Sequence, residues 1–525
     1  MTMASKVADQ SLARFPAGIP FIVGNEICER FSYYGMRAIL WVYMVSLFTQ
    51  QIGPKAAENK ATAMMHIFMA GVYAFPMIGA IIADRLLGKY HTILWISLIY
   101  CVGHLVLALF GHSEQGLYWG LSLIALGSGG IKPCVTAVVG DQFTKANAHL
   151  IPKAYQIFYF AINFGSFFSS LLTPFLYKHY GSEVAFGIPG ILMGIATLIF
   201  WLGRRRFVRI PPAPGGMVGF LDAAASVCLF LVPGSLFFTT HLSVVVKLLV
   251  CVACLVVWAI LFSKRQQMQE DQGFIAVFWY ALRHQHLKTP GMSFFDVARG
   301  RFSDEVAEGP RAVLKILVVF SMVCVFWALF DQHASSWINQ ASKMDLHFNV
   351  MGYSFDLLPS QIQAFNPIFV MIIIALLNGL VYPILRRIVD ITPLRKMSMG
   401  MFFTSFSFVL VALIQRKIDF LAPMGQKISV LYQIAPYLVL TLGEVLVSST
   451  GYEFAYTQAP KSMKSTIMGF WLLTVTMGNL LVAFLAGFKD LSLENFFWTF
   501  AAMAFVASCL FAINAYFYRG KTYLH

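Results

Sequence analysis

Four charged residues within one apolar stretch are the first place where this chain could do chemistry: Glu26, Glu29, Arg30 and Arg37. At about 100° per residue, with Glu26 as zero, Glu29 falls near −60°, Arg30 near +40°, Tyr33 near −20°, Tyr34 near +80° and Arg37 near +20°. One helical face holds every charge and both tyrosines. Two carboxylates beside a guanidinium can couple a proton to a second anion, because a carboxylate that loses its cation binds a proton more tightly. Further ionisable groups stand alone among apolar neighbours: His66, Lys132, Lys315, Asp331 and Glu444. An imidazole gains and loses a proton near neutral pH, which suits His66 to a proton-sensitive role. His66 and Asp331 could in principle be an acid–base pair, but no nucleophile or metal-ligand set accompanies them, so enzyme chemistry is not expected. Cys251 and Cys254 form a C-x-x-C with no second pair to complete a metal site.

These groups must be positioned by elements that live in lipid. The chain has 525 residues, of which 58% are hydrophobic and only 12% charged. A soluble domain carries about 25% charged residues, so this composition cannot cover a water-facing surface. A soluble enzyme, a nucleic-acid binder and a disordered chain are excluded. A spanning helix needs about 20 apolar residues. Fourteen such stretches are read at 19–48, 62–83, 92–111, 117–139, 154–177, 184–202, 217–240, 242–262, 312–334, 359–384, 397–414, 429–456, 463–487 and 493–518. With the N-terminus inside, inner segments hold 25 of the 38 Lys and Arg, outer segments 8, and the spans the rest. That bias places both termini in the cytoplasm. The formal charge of +14 is read the same way.

The polar stretch from Lys264 to Pro310 divides the spans. The expected plan is all-α: a six-helix bundle at 1–205, a linker and inserted two-helix hairpin at 206–265, a cytoplasmic linker at 266–311 and a second six-helix bundle at 312–525. Six plus six is the layout of the major facilitator superfamily, whose halves rock about a site at mid-membrane. Intramembrane charges are costly and are functional candidates by default. Depth along the spans groups Lys132 with Glu26, Glu29 and Arg30 on the inner side, and Arg37 with His66 and Asp331 on the outer side. One charge lock per face is what alternating access requires. Tyr73 lies one heptad from His66, Trp327 shares a face with Asp331, and Lys315 lies about 160° away from it. Lys315 is a snorkelling anchor or a gate residue, and His333 is expected at the membrane surface. Asn163 and Asn366 are the strongest neutral polar candidates. Gly127, Gly129 and Gly130 are read as close helix packing rather than a phosphate loop.

These residues carry a family resemblance. Residues Asn25 to Arg37 (NEICERFSYYGMR) resemble the E-x-x-E-R-F-x-Y-Y-G signature of proton-coupled oligopeptide transporters. Gly127–Phe143 (GSGGIKPCVTAVVGDQF), Phe158–Ser166 (FYFAINFGS), Phe326–Gln332 (FWALFDQ) and Gly443–Trp471 resemble further motifs of that family. The hairpin and the short outer loop at 415–428 look like bacterial members. Two departures are His66, which resembles a histidine of animal and only some bacterial members, and Ser449, where many bacterial members have proline. The resemblance implies import of di- and tripeptides driven by protons across a bacterial plasma membrane, by a monomer, with the proton as coupling ion and no other cofactor. It implies that Arg30 and Lys132 hold the peptide carboxylate, Glu444 the amino group, and Asn163 and Asn366 the peptide backbone or that amine. Tyr33, Tyr34, Tyr73, Trp327 and Trp471 would line side-chain pockets. Glu26, Glu29 and Arg30 would couple protons, with Arg37, His66 and Asp331 as the outer gate and Lys132, Lys315 and Glu444 as further gating charges. The alternative is a relative that carries another anion-bearing solute, such as nitrate or a peptide-like drug.

Overall fold

A computed structural model describes residues 15–518 apart from 145–146, 238–242, 270–272, 351, 386, 388–391, 459–462 and 489–490. Lys6, Arg14, Lys145, Arg386, Lys461, Lys489, Arg519 and Lys521, counted in the charge bias, lie outside the described residues, as do the facing ends of the two hairpin spans.

Lipid offers the backbone no hydrogen bonds, so apolar runs of this length fold as helices. In order these are α1 (Ile19–Ile52), α2 (Pro54–Ile82), α3 (Lys89–Phe110) and α4 (Glu114–Asp141), then Ile151–Leu202, then α7 (Gly216–Phe237) and α8 (Val244–Met268). Ile151–Leu202 is bent at Gly181, whose φ of 83° only glycine adopts freely, into two arms, α5 before and α6 after. A linker helix, α9 (Phe274–Arg283), leads to α10 (Asp304–Phe330), α11 (Ser336–Ser342), α12 (Phe365–Leu376), α13 (Tyr382–Leu385), α14 (Pro393–Leu421), α15 (Ile434–Gln458), α16 (Lys464–Ala486) and α17 (Leu493–Phe517). All fourteen expected spans fall on these helices. Among the described residues eleven helical stretches qualify as spans by length and hydropathy alone, because the bent pair counts once, α1 is loaded with charge and the apolar stretch of α7 counts only as Gly216–Val232. One small departure from an all-α chain is an antiparallel hairpin, β1 (His347–Val350) with β2 (Tyr353–Asp356), turning at Gly352 with φ 87°.

The described chain packs as two units, one of residues 15–43 and 67–269, the other of residues 44–66 and 273–518. In the first, α3 and α4 meet along glycines: a Cβ on Gly103 would lie 2.8 Å from the Ile124 nitrogen, and one on Gly127 would lie 2.5 Å from the Tyr100 Cβ. Gly79 of α2 approaches α4 so closely that its Cβ would sit 2.5 Å from the Gly130 Cα. The glycine run in α4 is thus a packing seam.

The hairpin belongs to this first unit. Asp222 of α7 accepts from Arg85 at the end of α2 (2.7 Å) and from Arg265 of α8 (2.7 Å). Two arginines on one half-buried carboxylate fasten both hairpin helices to α2. Asp222→Ala removes the carboxylate that both cations share and is expected to lower the melting temperature in detergent by several degrees, read by intrinsic fluorescence. An unchanged melting curve would mean the hairpin is held by apolar packing alone.

In the second unit, Asp296 of the linker accepts the Ser293 backbone N–H at 2.6 Å, and Arg311 and Arg299 stand near it. The Ser293 bonds, more than the two arginines, hold the Asp296 carboxyl below its usual range. Its stabilising bond is therefore fully present at neutral pH and is lost only as the pH falls through that lowered value. Protection of the Ser293 amide in hydrogen exchange should survive acidification down to about the ordinary aspartate pKa of 3.9. Loss of protection near pH 6 would contradict this.

Candidate functional site

In the first unit the charged face of α1 is buried: Glu26, Glu29 and Arg30 are each at most 5% exposed. The Arg30 Nε lies 2.9 Å from Glu26 Oε1 and 2.6 Å from Glu29 Oε2. One guanidinium nitrogen thus stands between two carboxylates, an arrangement that spreads one positive charge over two negative ones. Lys132 of α4 sets its ammonium over the Tyr73 ring (4.2 Å to the centroid) and the Tyr33 ring (4.9 Å). Tyr33 is one turn beyond Glu29, so Lys132 stands beside the carboxylate cluster. Cation–π contact holds a flexible lysine in place while leaving its charge available to an anion. Tyr34 packs edge-on to Tyr33 at 5.3 Å, and the buried Arg37 lies over Tyr34 at 5.5 Å. Asn163 of α5 donates to the Tyr159 carbonyl of its own helix (2.9 Å).

The second unit holds the other candidates. Here Asn366 of α12 donates to Glu444 Oε2 of α15 at 2.8 Å and to Thr441 at 3.2 Å. Ser448, one turn after Glu444, donates to the Glu444 backbone carbonyl at 2.7 Å and not to its carboxylate. Trp327 and Trp471 pack edge to face at 6.3 Å. Trp471 is only 1% exposed, and its indole fills the space where Gly451 has no side chain, so it backs the aromatic wall. Lys315 is exposed on α10. Ser449 donates to Val445 (2.7 Å) within an uninterrupted α15.

His66 lies in this second unit, fully buried. Its Nδ1 is 2.7 Å from Asn479 Oδ1 and its Nε2 is 2.8 Å from Ser335 Oγ. The Asn479 amide in turn donates to Asp331 Oδ2 at 2.7 Å. His66 and Asp331 are therefore joined through Asn479, a residue that sequence reasoning missed because a neutral side chain in an apolar run carries no charge signal. Asp331 directly follows α10 as the first residue of a tight turn over Asp331–Ala334. The helix breaks at 331–335 and resumes as α11, so the stretch runs from Asp304 to Ser342. His333 is buried within the protein, 4% exposed, with Nδ1 2.6 Å from the Phe330 carbonyl.

Comparison with known proteins bears on all of this. A sequence model described as the POT family matches residues 90–498. The chain belongs to the POT family. It is 33% identical to Peptide transporter 3 of Caenorhabditis elegans over 79% of its length and 53% of that protein's. Against Solute carrier family 15 member 2 of Mus musculus the identity is 33%, over 83% and 54%. The chain thus spans about half the length of the curated relatives it matches. Among solved structures, the POT family transporter PepTSo superposes with a TM-score of 0.77 at 41% identity, covering 96% of this chain and 98% of that one. An auto-inhibited POT family peptide transporter superposes with a TM-score of 0.78 at 39% identity, covering 97% and 98%. The fold is that of the major facilitator superfamily, built from helices long and apolar enough to cross a membrane.

Within POT-family motifs the glycines acquire a structural reason. A Cβ on Gly165 of α5 would lie 2.7 Å from the Ile27 carbonyl and 3.1 Å from the Arg30 Cβ, and one on Gly35 would lie 2.6 Å from Thr173 Oγ1. These two positions let α1 and α5 close on each other at the carboxylate cluster. On the other unit, a Cβ on Gly443 would meet Thr404 Oγ1 at 2.3 Å, which draws α15 onto α14 and sets the direction of the adjacent Glu444. Gly165→Leu is expected to leave little monodisperse protein on size exclusion; near-normal yield would show that α1 and α5 can separate at Arg30 without loss of fold.

Proposed function

We propose that the chain is a proton-coupled symporter that imports di- and tripeptides by alternating access. The observation that carries the reading is the buried Glu26–Arg30–Glu29 cluster with Lys132 beside it. An ion cluster in lipid is maintained at high cost and is otherwise unexplained. Arg30 and Lys132 take the peptide carboxylate, for which a guanidinium is the best-shaped partner. When Arg30 turns to the peptide, Glu26 and Glu29 lose their cation and bind a proton, which couples the two cargoes. Glu444, with Asn366 on its Oε2, takes the amino group, and Asn163 contributes toward the peptide backbone. Tyr33, Tyr34, Tyr73 and Trp327 form tolerant side-chain walls, since aromatic faces bury many shapes without demanding hydrogen bonds; Trp471 supports them. Arg37, His66 and Asp331 form a proton-sensitive gate, and Lys132, Lys315 and Glu444 gate with them. The proton is the only coupling ion, with no further cofactor, and a monomer in the bilayer suffices. The Lys and Arg bias supports cytoplasmic termini, and the hairpin and short outer loop favour a bacterial plasma membrane. The names of the relatives support peptide as cargo. The test is competition for labelled dialanine uptake: tripeptides should compete and free amino acids should not. Competition by nitrate, or by free amino acids alone, would overturn the substrate assignment.

A further inference from the structure

Outside the residues already assigned, α3 carries a buried histidine that bonds to α1 beside its charged stripe: His104. It is fully buried, and its Nε2 lies 2.9 Å from Ser32 Oγ of α1, also fully buried. Its Nδ1 is buried without a hydrogen-bond partner among the described residues. A leucine would pack there without leaving a polar atom stranded in an apolar bundle, so the bond to Ser32 is the part of this imidazole that needs an explanation. The surroundings fix the ring. Tyr100, one turn earlier, stacks on it at 5.0 Å, and α6 closes over it where a Cβ on Gly190 would meet the His104 Cβ at 3.0 Å. Tyr100 faces Ser128 and lies in the field of Glu29, Arg30 and Tyr33.

Ser32 sits about 60° around α1 from Glu29, on the flank of the charged stripe and not within it. On the same flank, about 20° from Ser32, Asn25 donates to the Ala196 carbonyl at 2.9 Å, and the Gly165 and Gly35 crossings with α5 close another side of α1. The contact from α3 is thus one of two polar contacts on this flank, and the one made by a side chain on each helix. We propose that His104 is a positioning residue for proton coupling: through Ser32 it fixes the rotation of α1 that holds Glu26 and Glu29 toward Lys132. The groups that face the stripe are Arg30 and Tyr33 on α1, Tyr73 on α2, Tyr100 on α3 and Lys132 on α4. Because Arg30 turns with the carboxylates on the same helix, a rotation of α1 changes chiefly their distance to Lys132. Less cationic field favours the protonated carboxylates, so the pH profile of uptake moves to higher pH.

This inference rests on the transport reading above. Ser32→Ala and His104→Leu are each expected to raise the pH of half-maximal gradient-driven dialanine uptake by about half a unit, roughly threefold in proton activity. The double variant should move no further than the larger single change, and counterflow without a gradient should stay within about twofold. His104→Gln, which can still hydrogen-bond to Ser32, should resemble the unaltered protein. An unmoved midpoint in both single variants, additive shifts, or equal loss of counterflow and driven uptake would overturn the assignment. If the unaltered protein shows no gradient-driven uptake, the transport reading fails by itself. The melting temperatures of the unaltered protein, Ser32→Ala, His104→Leu and the double variant then decide the pin: non-additive losses for Ser32 and His104 support it, and additive losses overturn it.

Discussion

Replacing Arg30 by alanine should reduce proton-driven dipeptide uptake at least about a hundredfold. Its Nε serves two buried carboxylates at 2.9 and 2.6 Å, so its removal leaves Glu26 and Glu29 without their shared cation. Breaking a buried ion pair from one side costs roughly 3–5 kcal/mol, and every 1.4 kcal/mol is about tenfold in an equilibrium. The two carboxylates escape that cost by holding protons permanently, which removes the step that links proton to cargo. The same substitution takes away the group assigned to the peptide carboxylate, so binding and coupling fall together. Arg30→Lys should be intermediate, because an ammonium keeps the charge and loses the planar fork. Glu29→Gln, which keeps the shape and removes the proton site, should abolish accumulation while leaving counterflow measurable. Initial rates in liposomes with an imposed pH gradient decide the matter; an Arg30→Ala protein within tenfold of normal would remove the cluster from the mechanism.

His66→Ala should divide transport from binding. Asn479 donates to Asp331, so its Oδ1 faces His66 and requires a proton on Nδ1, while Nε2 can accept from the Ser335 hydroxyl. Protonation turns Nε2 into a donor, and Ser335 can rotate to accept it. The imidazole can thus change charge without losing either partner, which a purely structural histidine does not need. Driven uptake is expected to fall about ten- to a hundredfold, the usual worth of one proton-transfer group or somewhat less. Peptide affinity by calorimetry should change by less than about threefold. Asn479→Leu should reproduce the effect, since it cuts His66 from Asp331. Equal loss of binding and uptake in either variant would make this a structural network.

Much of the fold was legible because lipid imposes a single rule: apolar runs of sufficient length become helices. Where the reading fell short, the cause was that helices outlast their apolar windows. The stretch read as 312–334 extends from Asp304 to Ser342 through a break at Asp331, beside which His333 is buried. Periodicity gives the face a residue takes on its own helix, so the Glu26–Arg30–Glu29 stripe could be drawn from spacing alone. It does not say which neighbour that face meets. The Asn479 link between His66 and Asp331 spans 413 residues from His66 and rests on a neutral amide, and the bond from His104 to Ser32 starts from a single histidine in an apolar run. Gly165 and Gly443 were legible as parts of motifs, but their purpose, bringing α5 to Arg30 and α15 to α14, depends on a crossing that no one-dimensional pattern contains.

The central claim is that buried charge in this chain converts a proton gradient into peptide movement. Purified protein in sealed liposomes, loaded at neutral pH and diluted into acidic medium with labelled dialanine, tests it most directly. Accumulation above the external concentration, abolished by a protonophore and by Glu29→Gln, is the predicted result. Uptake that is indifferent to the gradient, or that survives Glu29→Gln at full strength, would contradict it.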